Sequence, residues 1–199
     1  MSLEELSTQF NEFIEEAHRL KVLYAPQITI LVGAETEVIS DLDISSLDVL
    51  LRRHRDRIEY LVGSVHHVNE IPIDFDLPTF QKAIASLTVP VPNIAVKPID
   101  PMEAMFDCYL DAQYKLLVNF RPEVIGHFDL CRLYHPHMSL QGYHAVWEKV
   151  KRNVRYFCEY GALVEFNAAA FRKGWETAYP GREIVKVSCC HRDKGRKLC

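Results

Sequence analysis

The chain has 199 residues, 48% of them hydrophobic and 25% charged, which is typical of one soluble globular domain with a sizeable core. A net charge of −4 argues against a general nucleic-acid or anionic-membrane binder, because such proteins need a basic surplus. No apolar run is long enough to span a bilayer and the N-terminus shows no secretory pattern, so we expect a cytoplasmic protein.

Helical and strand-like patterns alternate along the chain. Apolar spacing predicts helices over residues 3–21, 43–57, 80–87, 102–120 and 143–160. Strands are predicted over residues 28–32, 60–62, 124–129 and 162–167, with a short segment at 71–75 and a proline-rich loop at 89–101. This alternation builds a parallel sheet with helices outside, either doubly wound or a barrel. No glycine-rich phosphate-binding motif follows any strand, so a nucleotide-binding fold has no local support.

Polar side chains follow three of the predicted strands. His66 and His67 come after the strand at 60–62, and strand alternation places His66 on the same face as Ser64 but turns His67 away. Glu35 and Glu37 share a face after the first strand, and His127 ends the third. Taken alone, each of these histidines and glutamates is also compatible with a solvent-facing strand end that binds no ligand.

The strand ends GAETE, GSVHH, GHFD and VEFNA favour the barrel over the doubly wound sheet, because a (β/α) barrel builds its site at the carboxyl ends of its strands. Glu35, His66 and His127 are then expected to converge on one rim. Carboxylate and imidazole ligands suit Zn, Mn or Fe. Such multi-metal sites hydrolyse phosphate esters, since the ions activate water and neutralise phosphate oxygens. Arg172 follows a strand end and could clamp a phosphate, although a helix-surface arginine fits the pattern equally well.

The segment VGSVHHVNEIPIDFD, with GAETE upstream and GHFDL and VEFNAAAFRKGWETAYP downstream, resembles the polymerase-and-histidinol-phosphatase (PHP) family, specifically its fungal histidinol-phosphatases. The resemblance covers residues from about 8 to about 185. It implies a distorted seven-stranded (β/α) barrel whose metal centre hydrolyses L-histidinol phosphate to histidinol and phosphate in histidine biosynthesis. By motif, Glu35, His66 and His127 match metal ligands, while Arg172 and Asn167 match the substrate-facing segment. No catalytic side chain is assigned, and metal-activated water is expected to attack.

Three family features are absent from this sequence: a His-x-His on the first strand, a ligand histidine that ends the second strand, and a Ser-Asp…His type motif on the last. We therefore expect a partial PHP-type barrel over residues 1–186, lacking the first and last strands, with open sheet edges and impaired activity. A non-catalytic fragment or isoform, or a phosphoesterase acting on another small phosphoester, is the alternative.

The C-terminal residues are unlike the rest of the chain. Residues 187–199 are predicted to be a disordered tail outside the family domain, and Val187-Ser188 is compatible with read-through into an intron. A zinc-knuckle interpretation of the tail cysteines is weaker, because Cys189 and Cys190 are adjacent. Three further cysteines lie in apolar surroundings and are predicted to be small core residues: Cys108, Cys131 and Cys158.

Overall fold

The computed structural model describes residues 3–87 and 100–192, and these residues form an α/β fold. The described helices are α1 (Leu3–Tyr24), α2 (Asp41–Arg53), α3 (Leu77–Ser86), α4 (Pro101–Phe120), α5 (His144–Tyr160), α6 (Ala169–Arg172) and α7 (Arg182–Arg192). The described strands are β1 (Gly33–Thr36), β2 (Tyr60–Gly63), β3 (His67–Val68), β4 (Ile71–Pro72), β5 (Val124–Ile125) and β6 (Leu163–Val164). Short 3-10 helices span Leu130–Arg132 and Leu140–Gly142.

The main sheet has four strands in the order β1–β2–β5–β6, and every pairing is parallel. The carboxyl ends of the four strands therefore lie along one edge of the sheet. β3 and β4 form a separate antiparallel hairpin a few residues after β2. The predicted α/β class with a parallel sheet is confirmed. The seven-stranded barrel stays a prediction, because the four described strands form an open sheet.

The core lies where α4 and α5 pack together, and it extends to α3, to α7 and to the segment after β5. A pair of buried amides crosses this apolar interface. Asn153 on α5 donates to the carbonyl of Leu110 (2.8 Å) and to Oε1 of Gln113 (3.0 Å), both on α4. Gln113 in turn donates to the carbonyl of Phe128 at 3.1 Å. Because buried polar groups are costly unless paired, this chain of bonds fixes the segment after β5 against two helices.

Glutamate side chains extend the sheet ladder at its amino edge. Oε2 of Glu59 accepts a hydrogen bond from the amide of Val32 at 2.7 Å, just before β1. Oε2 of Glu123 accepts one from the amide of Leu61 in β2, also at 2.7 Å. These carboxylates pair backbone donors that the short strands would otherwise leave to solvent.

The first strand begins later than the apolar pattern predicts, so the prediction of a strand over residues 28–32 is wrong. That run has no strand beside it in the described structure, and Ile28 and Leu31 are 58% and 60% exposed. Pairing with β2 begins at Gly33, where a Cβ would overlap the ring of Tyr60. The missing side chain lets the two strands approach, and this local fit decides the position of β1.

Several other elements are shorter than predicted. The strands expected over residues 124–129 and 162–167 reduce to two residues each, Val124–Ile125 and Leu163–Val164. The second helix ends at Arg53 instead of Arg57, with His54 as its C-cap. Its first turn is fixed by Ser40 and Asp43, whose side chains and backbone amides bond reciprocally.

The C-terminal tail continues as a helix past the predicted boundary. α7 runs from Arg182 to Arg192, packs against α5 and buries Ile184 completely. The prediction of disorder from residue 187 therefore does not describe residues 187–192, whereas residues 193–199 lie outside the described residues. The domain division at 186/187 stays a prediction. Residues 89–99 of the predicted proline-rich loop also lie outside the described residues, and α4 begins at Pro101.

Both outer strands of the sheet are open in the part of the chain that the structure describes, since β1 and β6 each pair on one side only. Leu163 in β6 is 60% exposed, and Phe166, two residues after that strand, is 71% exposed. Phe166 also lines a groove of about 390 Å³ together with Phe171 and Pro180. None of the described helices is both long and apolar enough to cross a membrane. Of the three cysteines predicted in the core, Cys131 is fully buried and the other two are partly buried.

Candidate metal centre

Three polar side chains meet at the carboxyl edge of the sheet. Glu35 lies within β1, while His66 and His127 follow closely on the ends of β2 and β5. These three strands are neighbours in the sheet, so their ends lie side by side. The structure thus brings together the three residues that the sequence predicted to converge.

The ligand atoms of this triad are within a few ångströms of one another. Nε2 of His66 lies 3.0 Å from Nε2 of His127. Oε1 of Glu35 lies 3.4 Å from Nε2 of His127 and 3.7 Å from Nε2 of His66. In residues 3–87 and 100–192, no other group of three or more histidine, cysteine, aspartate or glutamate side chains has ligand atoms arranged in this way.

The triad is accessible from solvent on its carboxylate side. The side chains of His127 and His66 are 12% and 22% exposed, whereas that of Glu35 is 53% exposed. The two imidazoles therefore form the floor of the site, and the glutamate forms its rim. This increase in side-chain exposure from the histidines to Glu35 suits a centre that admits a ligand from solvent.

Electrostatics keep Glu35 ionised. Its interaction with His127 lowers the pKa of the Glu35 carboxyl to about 2, although partial burial acts in the opposite direction. A carboxylate that remains charged at all physiological pH values is a competent ligand for a divalent cation.

A second carboxylate, Glu37, contacts the Nδ1 atoms of His66 and His67. Its Oε2 accepts a hydrogen bond from Nδ1 of His66 at 2.6 Å, and its Oε1 lies 3.1 Å from Nδ1 of His67. Burial alone would raise the pKa of Glu37, but these contacts with His66 lower it overall. Burial alone would lower the pKa of His66, but the hydrogen bond to Glu37 raises it overall.

The donor set fits a divalent ion. Two nitrogens only 3.0 Å apart cannot both carry a hydrogen pointing at the other, so at least one of Nε2 of His66 and Nε2 of His127 presents a lone pair. One carboxylate and two imidazoles are ligands that Zn²⁺, Mn²⁺ and Fe²⁺ accept. Three protein ligands also match the number that catalytic zinc sites use while leaving a position for water or substrate.

The two predicted substrate-binding residues lie on the segment that follows β6. Asn167 is half-buried, and its side chain is engaged within the protein: it donates to Oε1 of Glu165 (3.1 Å) and accepts from the amide of Ala169 (2.8 Å). Arg172 is exposed at the end of α6. No hydrogen bond or ion pair joins either residue to the triad in the described structure, so their roles in substrate binding stay predictions.

Two contacts at the site were not foreseen. His67 was expected to face away, yet it reaches the same Glu37 carboxylate as His66. Glu165 was not among the predicted site residues, but its Oε2 accepts a hydrogen bond from the backbone amide of His127 at 2.8 Å. A glutamate from the neighbouring strand thus holds the backbone of each triad histidine, because the amide of His66 likewise donates to Glu37.

These features define a parallel α/β domain with a candidate metal centre at the carboxyl edge of its sheet. The chain belongs to the PHP domain family, whose sequence profile matches residues 4–169. It is similar to a probable histidinol-phosphatase of Schizosaccharomyces pombe, with 41% identity over 187 residues, covering 92% of this chain and 57% of that protein. It is also similar to the histidinol-phosphatase of Saccharomyces cerevisiae, with 29% identity over 213 residues, covering 92% of this chain and 60% of that protein.

The family resemblance inferred from the motifs is therefore confirmed. The chain spans less than two thirds of the length of either curated relative.

Proposed function

We propose that this chain carries the metal-dependent phosphatase site of a histidinol-phosphatase, which hydrolyses L-histidinol phosphate to L-histidinol and phosphate in the cytoplasm. The observation that carries the proposal is the convergence of Glu35, His66 and His127 on one point. It is supported by the similarity to two proteins named as a probable histidinol-phosphatase and a histidinol-phosphatase. The substrate assignment depends on these relatives, and the chemical class depends on the donor set.

The three triad residues would hold the divalent ion, with Zn²⁺, Mn²⁺ and Fe²⁺ as the candidates. A bound ion would favour deprotonation of the attacking water and offset charge on the phosphate oxygens. In the overall reaction, the water oxygen forms a bond to phosphorus, the bond between phosphorus and the ester oxygen breaks, and the alcohol leaves with a proton.

The remaining residues would serve binding and orientation. Arg172, exposed on α6, supplies a planar guanidinium that suits a phosphate group. Asn167 has both polar atoms engaged, so its part in substrate binding would be to order the turn that leads into α6. Glu37 and Glu165 hold the two histidine backbones in place.

A weakly active or non-catalytic chain is the second candidate, and the size of the donor set favours it. The three ligands found among residues 3–87 and 100–192 satisfy one open ion site but are too few for the multinuclear centre that the family resemblance implies. Glu35 is also more than half exposed, so water competes with any ion at its carboxylate. We therefore expect turnover to be low when this chain acts alone.

The test is phosphate release from L-histidinol phosphate by the purified chain, with Mn²⁺ or Zn²⁺ supplied. The expected result is metal-dependent release that is abolished in His66→Ala and His127→Ala. His144→Ala is the matched control, because that side chain is 94% exposed on α5. Absence of release by this chain, together with release by a longer chain of the same gene, would support the second candidate. Release from other small phosphomonoesters at equal rates would overturn the substrate assignment.

A further inference from the structure

Glu37 makes more contacts with the histidines than any other described side chain at the site. Its carboxylate accepts hydrogen bonds from the backbone amide of His66 at 3.0 Å and from Nδ1 of His66 at 2.6 Å. Nδ1 of His67 lies 3.1 Å from the same carboxylate. Glu37 follows directly on β1, and its side chain is one-third exposed. Both oxygens are occupied by these bonds, so the carboxylate faces the histidines and not the triad centre.

These contacts determine which nitrogen of His66 carries the hydrogen. A carboxylate only accepts, so the ring nitrogen that it contacts must be the donor. In a neutral imidazole the other nitrogen then has a free lone pair. That nitrogen is Nε2 of His66, which faces Nε2 of His127 and Oε1 of Glu35. An unprotonated nitrogen in this position is what a divalent ion requires.

His127 lacks an equivalent partner. Its Nδ1 is buried and has no hydrogen-bond partner among the residues that the structure describes. Its backbone amide is held by Glu165 at 2.8 Å, but nothing in the described structure holds a hydrogen on the far side of its ring. The two histidines are therefore unequal: His66 is set in one tautomer by the protein, and His127 is not.

We propose that Glu37 is a positioning residue of the metal centre, which fixes His66 as the Nδ1–H tautomer and aims its Nε2 at the point shared with Glu35 and His127. His67 donates to the same carboxylate and so keeps Glu37 in place. This inference deepens the proposed function and rests on it only for its consequence in catalysis. The tautomer and the affinity for an ion can be measured without substrate.

The first test is the tautomer of His66 in the metal-free protein, read from imidazole ¹⁵N chemical shifts and assigned by loss of the signals in His66→Gln. The expected result is a protonated Nδ1 and an unprotonated Nε2 in the unaltered chain. In Glu37→Gln the Nε2–H form should become populated, because the charged acceptor is lost. A neutral wild-type His66 whose single ring hydrogen is on Nε2 would overturn the proposal directly, whether or not any variant folds.

The second test is affinity for Zn²⁺ or Mn²⁺, measured by competition with a coloured chelator. Glu37→Gln should weaken binding about 10- to 100-fold, as is typical for loss of a carboxylate that orients a ligand histidine. Glu123→Gln is the matched control, because Glu123 also accepts a strand amide at 2.7 Å but does so at the opposite edge of the sheet. The control should bind the ion with wild-type affinity.

Two outcomes of the affinity experiment would refute the assignment. Wild-type affinity in Glu37→Gln would show that Glu37 does not prepare the site. Weaker binding with an unchanged His66 tautomer would show that Glu37 acts in another way, such as direct coordination. If instead both expectations hold but the chain releases no phosphate, the positioning role stands and the proposed phosphatase function fails.

Discussion

Replacing Arg132 with methionine should lower the free energy of unfolding by about 3–5 kcal/mol, because it leaves Asp129 as an unpaired buried carboxylate. Asp129 is fully buried and Arg132 is 5% exposed. The guanidinium donates to Oδ2 of Asp129 through Nε (3.2 Å) and Nη2, and to the carbonyl of Met138 through Nη1 (2.7 Å). Burial raises the pKa of Asp129 even with Arg132 beside it, so the carboxylate depends on this partner.

Urea unfolding followed by tryptophan fluorescence measures the effect, since Trp175 is 5% exposed and its ring centroid lies 5.1 Å from Cζ of Arg132. The double variant Asp129→Leu/Arg132→Met should recover part of the loss, because the fully buried Asp129 carboxylate is removed together with its partner, whereas Glu183 still loses its contact with Arg132 at 3.5 Å. Arg52→Met is the control: its pair with Asp48 is 79% and 45% exposed, so the change should be far smaller. A double variant no more stable than Arg132→Met alone would refute the reasoning.

Three further predictions concern positions away from this pair. Glu70→Gly should raise the free energy of unfolding by about 1 kcal/mol in urea unfolding. Asn69 and Glu70 in the β3–β4 turn both have positive φ (50° and 64°), which glycine adopts without a steric cost. A loss of stability in this variant would contradict the reasoning. Gly126→Ala should lower the free energy of unfolding by about 1–3 kcal/mol, because its Cβ would overlap Oγ of the buried Ser64. The double variant Gly126→Ala/Ser64→Ala should regain part of this loss. Equal urea midpoints for the single and the double variant would exclude this overlap as the cause. Burial, with help from neighbouring arginines, lowers the pKa of His54, so the unfolded chain binds the proton more readily and stability should fall as pH drops below about 6.5. Thermal melting between pH 8 and pH 5 measures this slope, and His54→Phe should flatten it; an unchanged slope in that variant would assign the dependence elsewhere.

The convergence of the triad could be predicted from the sequence because it depends on two simple rules. Parallel strands place their carboxyl ends at one edge, and Glu35, His66 and His127 each stand at or just beyond such an end. Neither rule needs the strand lengths to be right. β5 proved to be only two residues long, yet it still places His127 where the prediction expected it.

The contacts that support the triad could not be predicted, because strand alternation stops where a strand stops. β2 ends at Gly63, and by His66 the chain has left the pleat, so His67 turns toward Glu37 instead of away from it. The bond from the amide of His127 to Glu165 joins residues 38 positions apart, and no local pattern encodes it. The start of β1 was missed for a related reason: apolar character marks residues 28–32, but the fit of Gly33 against Tyr60 sets the pairing.

The four glutamates that accept backbone amides in or next to the strands have a consequence for how the sheet selects its alignment. A slip of one residue moves a strand by about 3.3 Å and turns its side chains to the opposite face. Ladders as short as those of β5 and β6 discriminate poorly against such a slip by backbone bonds alone. Glu59 and Glu123 at one edge, and Glu37 and Glu165 at the other, each accept a hydrogen bond from one of these amides, so a slip of β1, β2 or β5 loses a bond at both edges. Such a slip would also carry Glu35, His66 or His127 out of the triad, so the alignment that satisfies the carboxylates is also the one that can bind an ion.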